Sequence, residues 1–428
     1  MDQQESNRQP NRDQNDYLKL SRSVLLNHYR TEVKKSRDKS KFNKISDFFT
    51  KRVWSWFYYY ITSRFGPNCS YTTYNSQDTG IYKLSNSGAD AKPTIIAIAA
   101  DWGTDTKDSF EIAREIKGHS PDYTIHMGDT YYVGAPHEID LNFVNENSPW
   151  VRGSKGSFAV LGNHEMYARG VAFFERQLPT LGLSNEAGKY TGQKAGFFCL
   201  ENDYWRILGL DTGYHSIGKV PILEMLPWFA PDCHFDEKLI MWLYEQVKLD
   251  NPGDKRGLVI LTHHQYISAF KDETEYLVPA EQLAKLIGKD RPVIWIWGHE
   301  HKLSVYEKAQ VKNGITAYGR CIGHGGMPIE LESTSFRRNS KNYGETKLVM
   351  VDKRVRSGKG TWPLGYNGYV ILSVNNEKLE ISYHDVDKRL FSEYWEADIE
   401  TGKIKGSIDI DLPGLETTVS KHISDAVK

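Results

Sequence analysis

The chain has 428 residues, 39% of them hydrophobic, enough to bury one large core with additions rather than several small ones. Its 54 Lys and Arg stand against 55 Asp and Glu, a formal net charge of −1, so no global field draws it to duplex nucleic acid or acidic lipid. The longest apolar runs fall far short of the roughly 20 residues that cross a bilayer, and the four cysteines (Cys69, Cys199, Cys233, Cys321) lack C-x-x-C spacing, which argues against a redox pair, a zinc knuckle and a disulfide framework.

The start, Met1 to Tyr17, is polar and lacks the apolar core of a secretory signal, so a soluble cytoplasmic protein is expected. Residues 1–16 read as a disordered polar tail. Residues 17–90 read as a helical extension packing on the core: Ile45, Phe49, Val53, Trp56 and Tyr60 recur at helical spacing behind a basic lead-in from Lys34 to Lys44. A membrane-surface role for that aromatic and basic helix is the weaker reading. Regular alternation begins after Pro93. Thr94 to Ala100 is a continuous apolar run, suited to a strand buried on both faces. A helix is expected behind it, capped by Thr106 or Asp108 and ended by Gly118. Further short apolar runs, Tyr123 to Met127, Ser157 to Leu161, Gly257 to Leu261 and Val293 to Trp297, read as strands bounded by turn residues. Tyr369 to Tyr383 and Leu390 to Ile410 alternate as antiparallel strands joined by Asn-Asn and Thr-Gly turns. The catalytic domain is expected over residues 91–385, with residues 386–428 as strands that complete it.

Five short motifs follow five of these strands: Ala100-Asp101-Trp102-Gly103, Gly128-Asp129-Thr130-Tyr131-Tyr132, Gly162-Asn163-His164-Glu165, Thr262-His263-His264, and Gly298-His299-Glu300-His301. In open α/β sheets, ligand sites form beyond the carboxyl ends of strands, so these motifs are expected to converge on one edge. Aspartate, asparagine, histidine and tyrosine make a mixed oxygen and nitrogen donor set, right for hard or borderline metals and wrong for a thiolate site. A lone Asp or His at a strand end is more often a turn former or a packed residue; five such motifs in order are not explained that way. The glycines before Asp129, Asn163 and His299 allow sharp turns and close approach to an ion. Trp102 and Tyr131 read as packing residues around the site. His324, in Gly323-His324-Gly325-Gly326, is a minor candidate on a loop that would have to return to the site.

These motifs resemble those of the calcineurin-like metallophosphoesterase superfamily: Asp, Gly-Asp, Gly-Asn-His-Asp/Glu, His and Gly-His-x-His, here over about residues 93–305. Most members place a histidine two residues after the first aspartate, where this chain has Gly103; Gly128-Asp129-x-x-Tyr132 instead looks like the purple acid phosphatase pattern, in which tyrosine replaces that histidine. Ala100 departs from that pattern, which usually has glycine there. The resemblance implies an α/β fold, a four-layer αββα sandwich of two mixed β-sheets flanked by helices. It implies two metal ions, the first held by Asp101, Asp129, Tyr132 and His301, the second by Asp129, Asn163, His263 and His299, with Asp129 bridging. A phenolate donor suits Fe(III) at the first site, because tyrosine ionises near neutral pH only beside a strong cation; Fe(II), Zn or Mn would serve at the second. A hydroxide activated by the two metals would then attack phosphorus in line, with His164 contacting substrate or protonating the leaving oxygen, Glu165 orienting His164, and His264 as a further catalytic candidate or a supporting neighbour.

The expected partner is a small phosphate-ester substrate. Duplex nucleic acid and a membrane are not expected, and the sequence sets no oligomeric state. The competing readings are a cyclic-nucleotide or nucleic-acid phosphodiesterase on the same site, and a non-catalytic scaffold that retains its metals.

Overall fold

The computed structural model describes residues 66–84, 92–217, 233–271, 273–329, 331, 339–345, 347–356 and 364–409, with Tyr58 and Thr62 before them. The amphipathic stretch predicted around Ile45 to Tyr60 lies, apart from Tyr58, outside the described residues.

The predicted strands form, and they divide between two eight-stranded mixed sheets. In one, Thr94–Ala99, Tyr123–His126 and Gly156–Ala159 lie parallel and side by side, and Thr94–Ala99 pairs antiparallel with Gly368–Asn375. The meander Gly368–Asn375, Lys378–Asp385, Arg389–Asp398 and Lys403–Asp409 extends that sheet outward. In the other, Trp205–Gly209, Gly257–Thr262, Val293–Trp297 and Thr316–Ile322 run parallel in that order. Its outer strands are Ile81–Lys83 and Phe198–Glu201 on one side, Leu303–Gln310 and Leu348–Val351 on the other.

Apolar side chains from both sheets interdigitate between them: Ile96, Ile98, Ile125 and Val370 from one, Phe198, Ile207, Val259 and Ile294 from the other. Helices cover the outer faces. Lys107–Gly118 starts at Thr106, whose side chain accepts from the Ser109 amide, and lays Ile112, Ala113 and Ile116 on Ala97 and Ala99. Glu237–Glu245 and Leu277–Ile287 bring Leu239, Trp242, Leu243, Ala280 and Leu283 against Leu208, Leu258, Ile260 and Trp295. The result is the αββα layering that the resemblance implies, because each helix has one apolar stripe and each sheet two apolar faces. Ahead of the first sheet, Tyr71 and Tyr74 are buried in the second sheet's outer core, against Phe197, Tyr214 and Trp242.

One ion pair ties the two sheets together. Arg320, on Thr316–Ile322, donates from Nε and from Nη2 to the two oxygens of Glu393, on Arg389–Asp398, at 2.6 and 2.7 Å. Tyr383 and the Trp395 indole also donate to Glu393, and Arg320 Nη1 donates to the Tyr306 and Gly319 carbonyls. A bidentate pair with its remaining donors and acceptors engaged is the form in which a buried charge pair is tolerated.

Candidate metal centre

The parallel strands of both sheets end at the same edge, and there the five motifs meet. Asp101 Oδ2 accepts the His299 amide across the two sheets at 2.8 Å, and His263 Nδ1 donates to the Met127 carbonyl at 2.9 Å. The second bond sets the His263 tautomer and turns Nε2 into the site, the kind of support that metal-ligating histidines commonly have. Asp101, Asp129 and His299 have φ of 55°, 70° and 64°, a left-handed conformation that costs non-glycine residues about 1–3 kcal/mol and gathers at functional sites. Gly162 permits the close approach between motifs: a Cβ there would lie 2.2 Å from Asp129 Oδ1.

Two groups of donors result, sharing Asp129. In the first, Asp101 Oδ1, Asp129 Oδ2 and His301 Nε2 lie 2.8, 3.0 and 2.9 Å from the Tyr131 hydroxyl, and His301 Nε2 is 3.5 Å from Asp101 Oδ1. In the second, Asn163 Oδ1 is 3.1 Å from His263 Nε2 and 3.0 Å from His299 Nδ1, and Asp129 Oδ1 is 3.3 Å from His263 Nε2. Donors about 2.0–2.2 Å from a common ion, at right angles, are about 3 Å apart, so both sets have the spacing of a coordination shell. A single phenolic proton cannot satisfy two carboxylates and an imidazole, which leaves buried acceptors that a cation would neutralise. The residues present therefore fit bound metal. Asp101, Asp129 and His263 form one possible metal-binding group, and His263, His264 and His299 another.

Electrostatics in the ion-free protein agree. Burial works to raise the Asp129 carboxyl, but His263 and His164 outweigh it and hold it well below the usual carboxylate range. Burial likewise opposes a charge on His263, yet Asp129 and Asp101 raise it to about 10. Burial and then the Asp101 and Asp129 charges push the Tyr131 phenol well above its ordinary value, so only a strong cation would ionise it.

The structure corrects three expectations. Tyr131, read as a packing residue, brings its hydroxyl into the first group, whereas Tyr132 is held by its backbone: its amide donates to Glu138 and its carbonyl accepts from His164 Nδ1. Those two bonds fix the turn so that the preceding side chain enters the site. Glu165 does not orient His164; its carboxylate accepts the amides of Gly162 and Asp129 at 3.0 and 3.2 Å, and burial followed by the Asp129 charge raises its pKa to about 7. His324 does not reach the site. Its loop passes over the first motif by backbone alone, Gly325 donating to Ala100 and Met327 to Asp101, while its ring is buried against Gly368.

His164 keeps 22% of its side chain exposed and His301 33%, against 0–1% for Asp101, Asp129 and His263. With Nδ1 committed to the Tyr132 carbonyl, His164 Nε2 lies 3.7 Å from Asp129 Oδ2. His264 is buried beside the second group, with Nδ1 3.0 Å from the Thr212 hydroxyl and its ring 4.7 Å from His299. Trp102 is a packing residue, its indole donating to the Ser109 carbonyl. The residues that sequence reasoning missed are Tyr131 and Thr212. For Tyr131 the only signal is two adjacent tyrosines after Gly-Asp; for Thr212 there is none.

Residues 95–303 match the family model for calcineurin-like phosphoesterases, and the chain carries a domain of that metal-dependent family. Among solved structures, PhoD is similar at 10% identity, covering 78% of this chain and 75% of its own, with a TM-score of 0.40. A predicted phosphoesterase from Streptococcus pneumoniae TIGR4 shares 11% identity over 74% of this chain and 99% of its own, TM-score 0.26. Vacuolar Protein Sorting 29 from Cryptosporidium parvum shares 11% over 76% and 100%, TM-score 0.25. None reaches a TM-score of 0.5, so the functional reading rests on the domain and its site. The search of curated proteins returned no match. Among the described residues, no helix is long and apolar enough to cross a membrane.

Proposed function

We propose that this chain hydrolyses phosphate esters with two metal ions held between the sheet edges, by in-line attack on phosphorus. The observation that carries this reading is the position of Asp129, which presents Oδ2 to the Tyr131 hydroxyl, itself beside Asp101 Oδ1 and His301 Nε2, and Oδ1 to His263. The first ion would take Asp101, Asp129, His301 and a tyrosine; the second would take Asp129, Asn163, His263 and His299. Such ions supply Lewis acidity toward phosphoryl oxygens and bring the pKa of water toward neutrality. Asp129 would be the donor that both ions share. His164, aimed by the Tyr132 carbonyl and open to solvent, holds at Nε2 the proton that the leaving oxygen needs. Glu165 keeps the amides of Gly162 and Asp129 in place, and so keeps Asp129 in its left-handed turn.

A tyrosine at the first ion favours Fe(III) there, in the manner of the purple acid phosphatases, with Fe(II), Zn or Mn at the second. Tyr131 is the donor that the geometry favours. A visible charge-transfer band should disappear in Tyr131→Phe and persist in Tyr132→Phe; the reverse result would return the role to Tyr132, and colourless protein with a full iron complement would remove the tyrosinate assignment.

The reading itself is tested with an aryl phosphomonoester and its diester counterpart, in the presence of Fe, Zn or Mn. Metal-dependent turnover lost in Asp129→Asn is the expected result, and the ratio of the two rates separates a phosphomonoesterase from a phosphodiesterase. Two bound ions with no turnover of either ester would overturn hydrolysis in favour of a metal-binding scaffold.

A further inference from the structure

Two aromatic side chains outside the donor groups stand beside the imidazoles of the site. Tyr167 ends the short helix Asn163–Met166, with its amide bonded to the His164 carbonyl, and its ring lies 5.1 Å from the His164 ring at 80°. Tyr276 comes from the other sheet's side. Its amide bonds to the Gln265 carbonyl, two residues after His263, and its ring lies 5.2 Å from His264 and 6.3 Å from His299, edge-on to both. Both residues are half-buried rather than part of the core. Tyr167 follows the segment of the first donor group's neighbour His164, and Tyr276 stands beside the second group. The Tyr131 ring is 4.3 Å from that of His164. An ester oxygen departing next to His164 would leave beside the Tyr131 and Tyr167 rings, with Tyr276 standing beside His299.

We infer that Tyr167 and Tyr276 are specificity-determining residues that select phosphate esters whose alcohol carries a planar aromatic ring close to the ester oxygen. The inference rests on the phosphoesterase reading of the same site. Aromatic pairs in offset or edge-on geometry favour a ring over an alkyl group of similar size by about 2- to 10-fold per contact. The phenolic hydroxyls add donors that suit a heteroaromatic ring as well as a phenyl group.

The test uses metal-loaded full-length protein and two pairs of probes: benzylphosphonate against butylphosphonate for binding by calorimetry, and benzyl phosphate against butyl phosphate for turnover. These alcohols are both primary, so leaving-group chemistry is closely matched. Wild-type protein should prefer the benzyl member of each pair several-fold. Tyr167→Leu and Tyr276→Leu should each lower that preference toward unity with metal content unchanged, while the Phe variants retain it. Equal affinity for the two phosphonates in wild-type protein, no binding of either, or a preference that survives both leucine variants would overturn the inference. A phosphonate preference that disappears in the leucine variants, without hydrolysis of either ester, would support the ring selection and overturn the hydrolase reading.

Discussion

Two of the places where this molecule buries charge are treated in opposite ways. Between the sheets, Arg320 and Glu393 satisfy each other through two bonds, and Tyr383, Trp395 and two carbonyls take up what remains. At the sheet edge, Asp101 and Asp129 each accept one backbone amide, from His299 and His164, and their other neighbours are imidazoles and one phenol, groups that offer lone pairs as readily as protons. The interior pair is complete within the protein. The edge has no such closed set of partners, and its donors fit a cation. The difference locates function without reference to any relative: left-handed aspartates and converging acceptors, tolerated at a cost, mark the place where binding of something else makes up the deficit.

The comparison breaks most sharply at Asp129. Replacing it with Asn removes the one carboxylate that both donor groups share, and phosphate-ester turnover should fall to background with at least one ion lost, measured by rate assay and metal analysis. His164→Ala should leave both ions bound and lower kcat by about 10²- to 10⁴-fold, the range for a lost general acid, with the loss smaller for esters of more acidic alcohols that need no proton. An equal loss for every leaving group would move His164 from proton donor to a phosphoryl contact.

The interior pair offers the complementary break. Glu393→Gln leaves Arg320 buried without a counter-charge and should lower unfolding stability by about 3–5 kcal/mol, while the double change Arg320→Met with Glu393→Leu should recover much of it. Denaturant melts of the three proteins measure this. Metal content per folded molecule should stay constant, because the ion-pair groups make no contact with the donor set.

Acid and base sharpen the same contrast. With the His263 pKa raised to about 10 by Asp129, the ion-free protein carries a proton on His263 at neutral pH, on the nitrogen that faces the second ion's place. Loading should therefore release that proton, and affinity for the second ion should rise about tenfold per pH unit toward pH 10. In the ion-free protein the sign is reversed for stability. The contribution of the raised His263 is full below about pH 6.5 and lost as pH rises through about 10, and that of the depressed Asp129 is present above about pH 3.9 and lost in stronger acid. Proton release on titration with Zn, measured in weakly buffered solution, checks the first statement; its absence would place the proton elsewhere.

Much of this site is legible in the sequence, because strands buried on both faces read as unbroken apolar runs and their ends are punctuated by Gly-Asp, Gly-Asn-His and Gly-His-x-His. The runs at Tyr123 and Val293 correspond closely to observed strands, and the helix cap at Thr106 is where its hydroxyl and spacing place it. Periodicity cannot tell Tyr131 from Tyr132: adjacent side chains in a turn point different ways, and which one enters the site depends on Glu138 and His164 holding the backbone between them. Glu165 illustrates the same limit, since a carboxylate next to a histidine in sequence is here turned toward two amides. The sheet order is also hidden, because it follows from long-range pairings such as Val370 with Ile98 that no local pattern encodes.

The smallest expected effect separates scaffold from site most cleanly. Thr106 caps the helix Lys107–Gly118 from the loop that follows Asp101: its hydroxyl accepts from the Ser109 amide at 3.4 Å, the Thr106 amide donates to Ser109 Oγ at 3.1 Å, and the Thr104 hydroxyl lies 2.8 Å from that of Thr106. Thr106→Ala should cost about 1 kcal/mol of stability, the usual worth of a cap, because the amide bond is long and Ser109 still serves one side of the box. Asp101 is held independently, by the His299 amide at Oδ2 and by the Gly323–Met327 loop at its backbone. Turnover and metal content should thus be unchanged in a variant that melts measurably earlier. If activity falls with stability instead, the loop from Asp101 to Thr106 is part of what shapes the donor set, and the boundary between the tolerant scaffold and the strained edge lies one turn deeper than the bonds at Asp101 indicate.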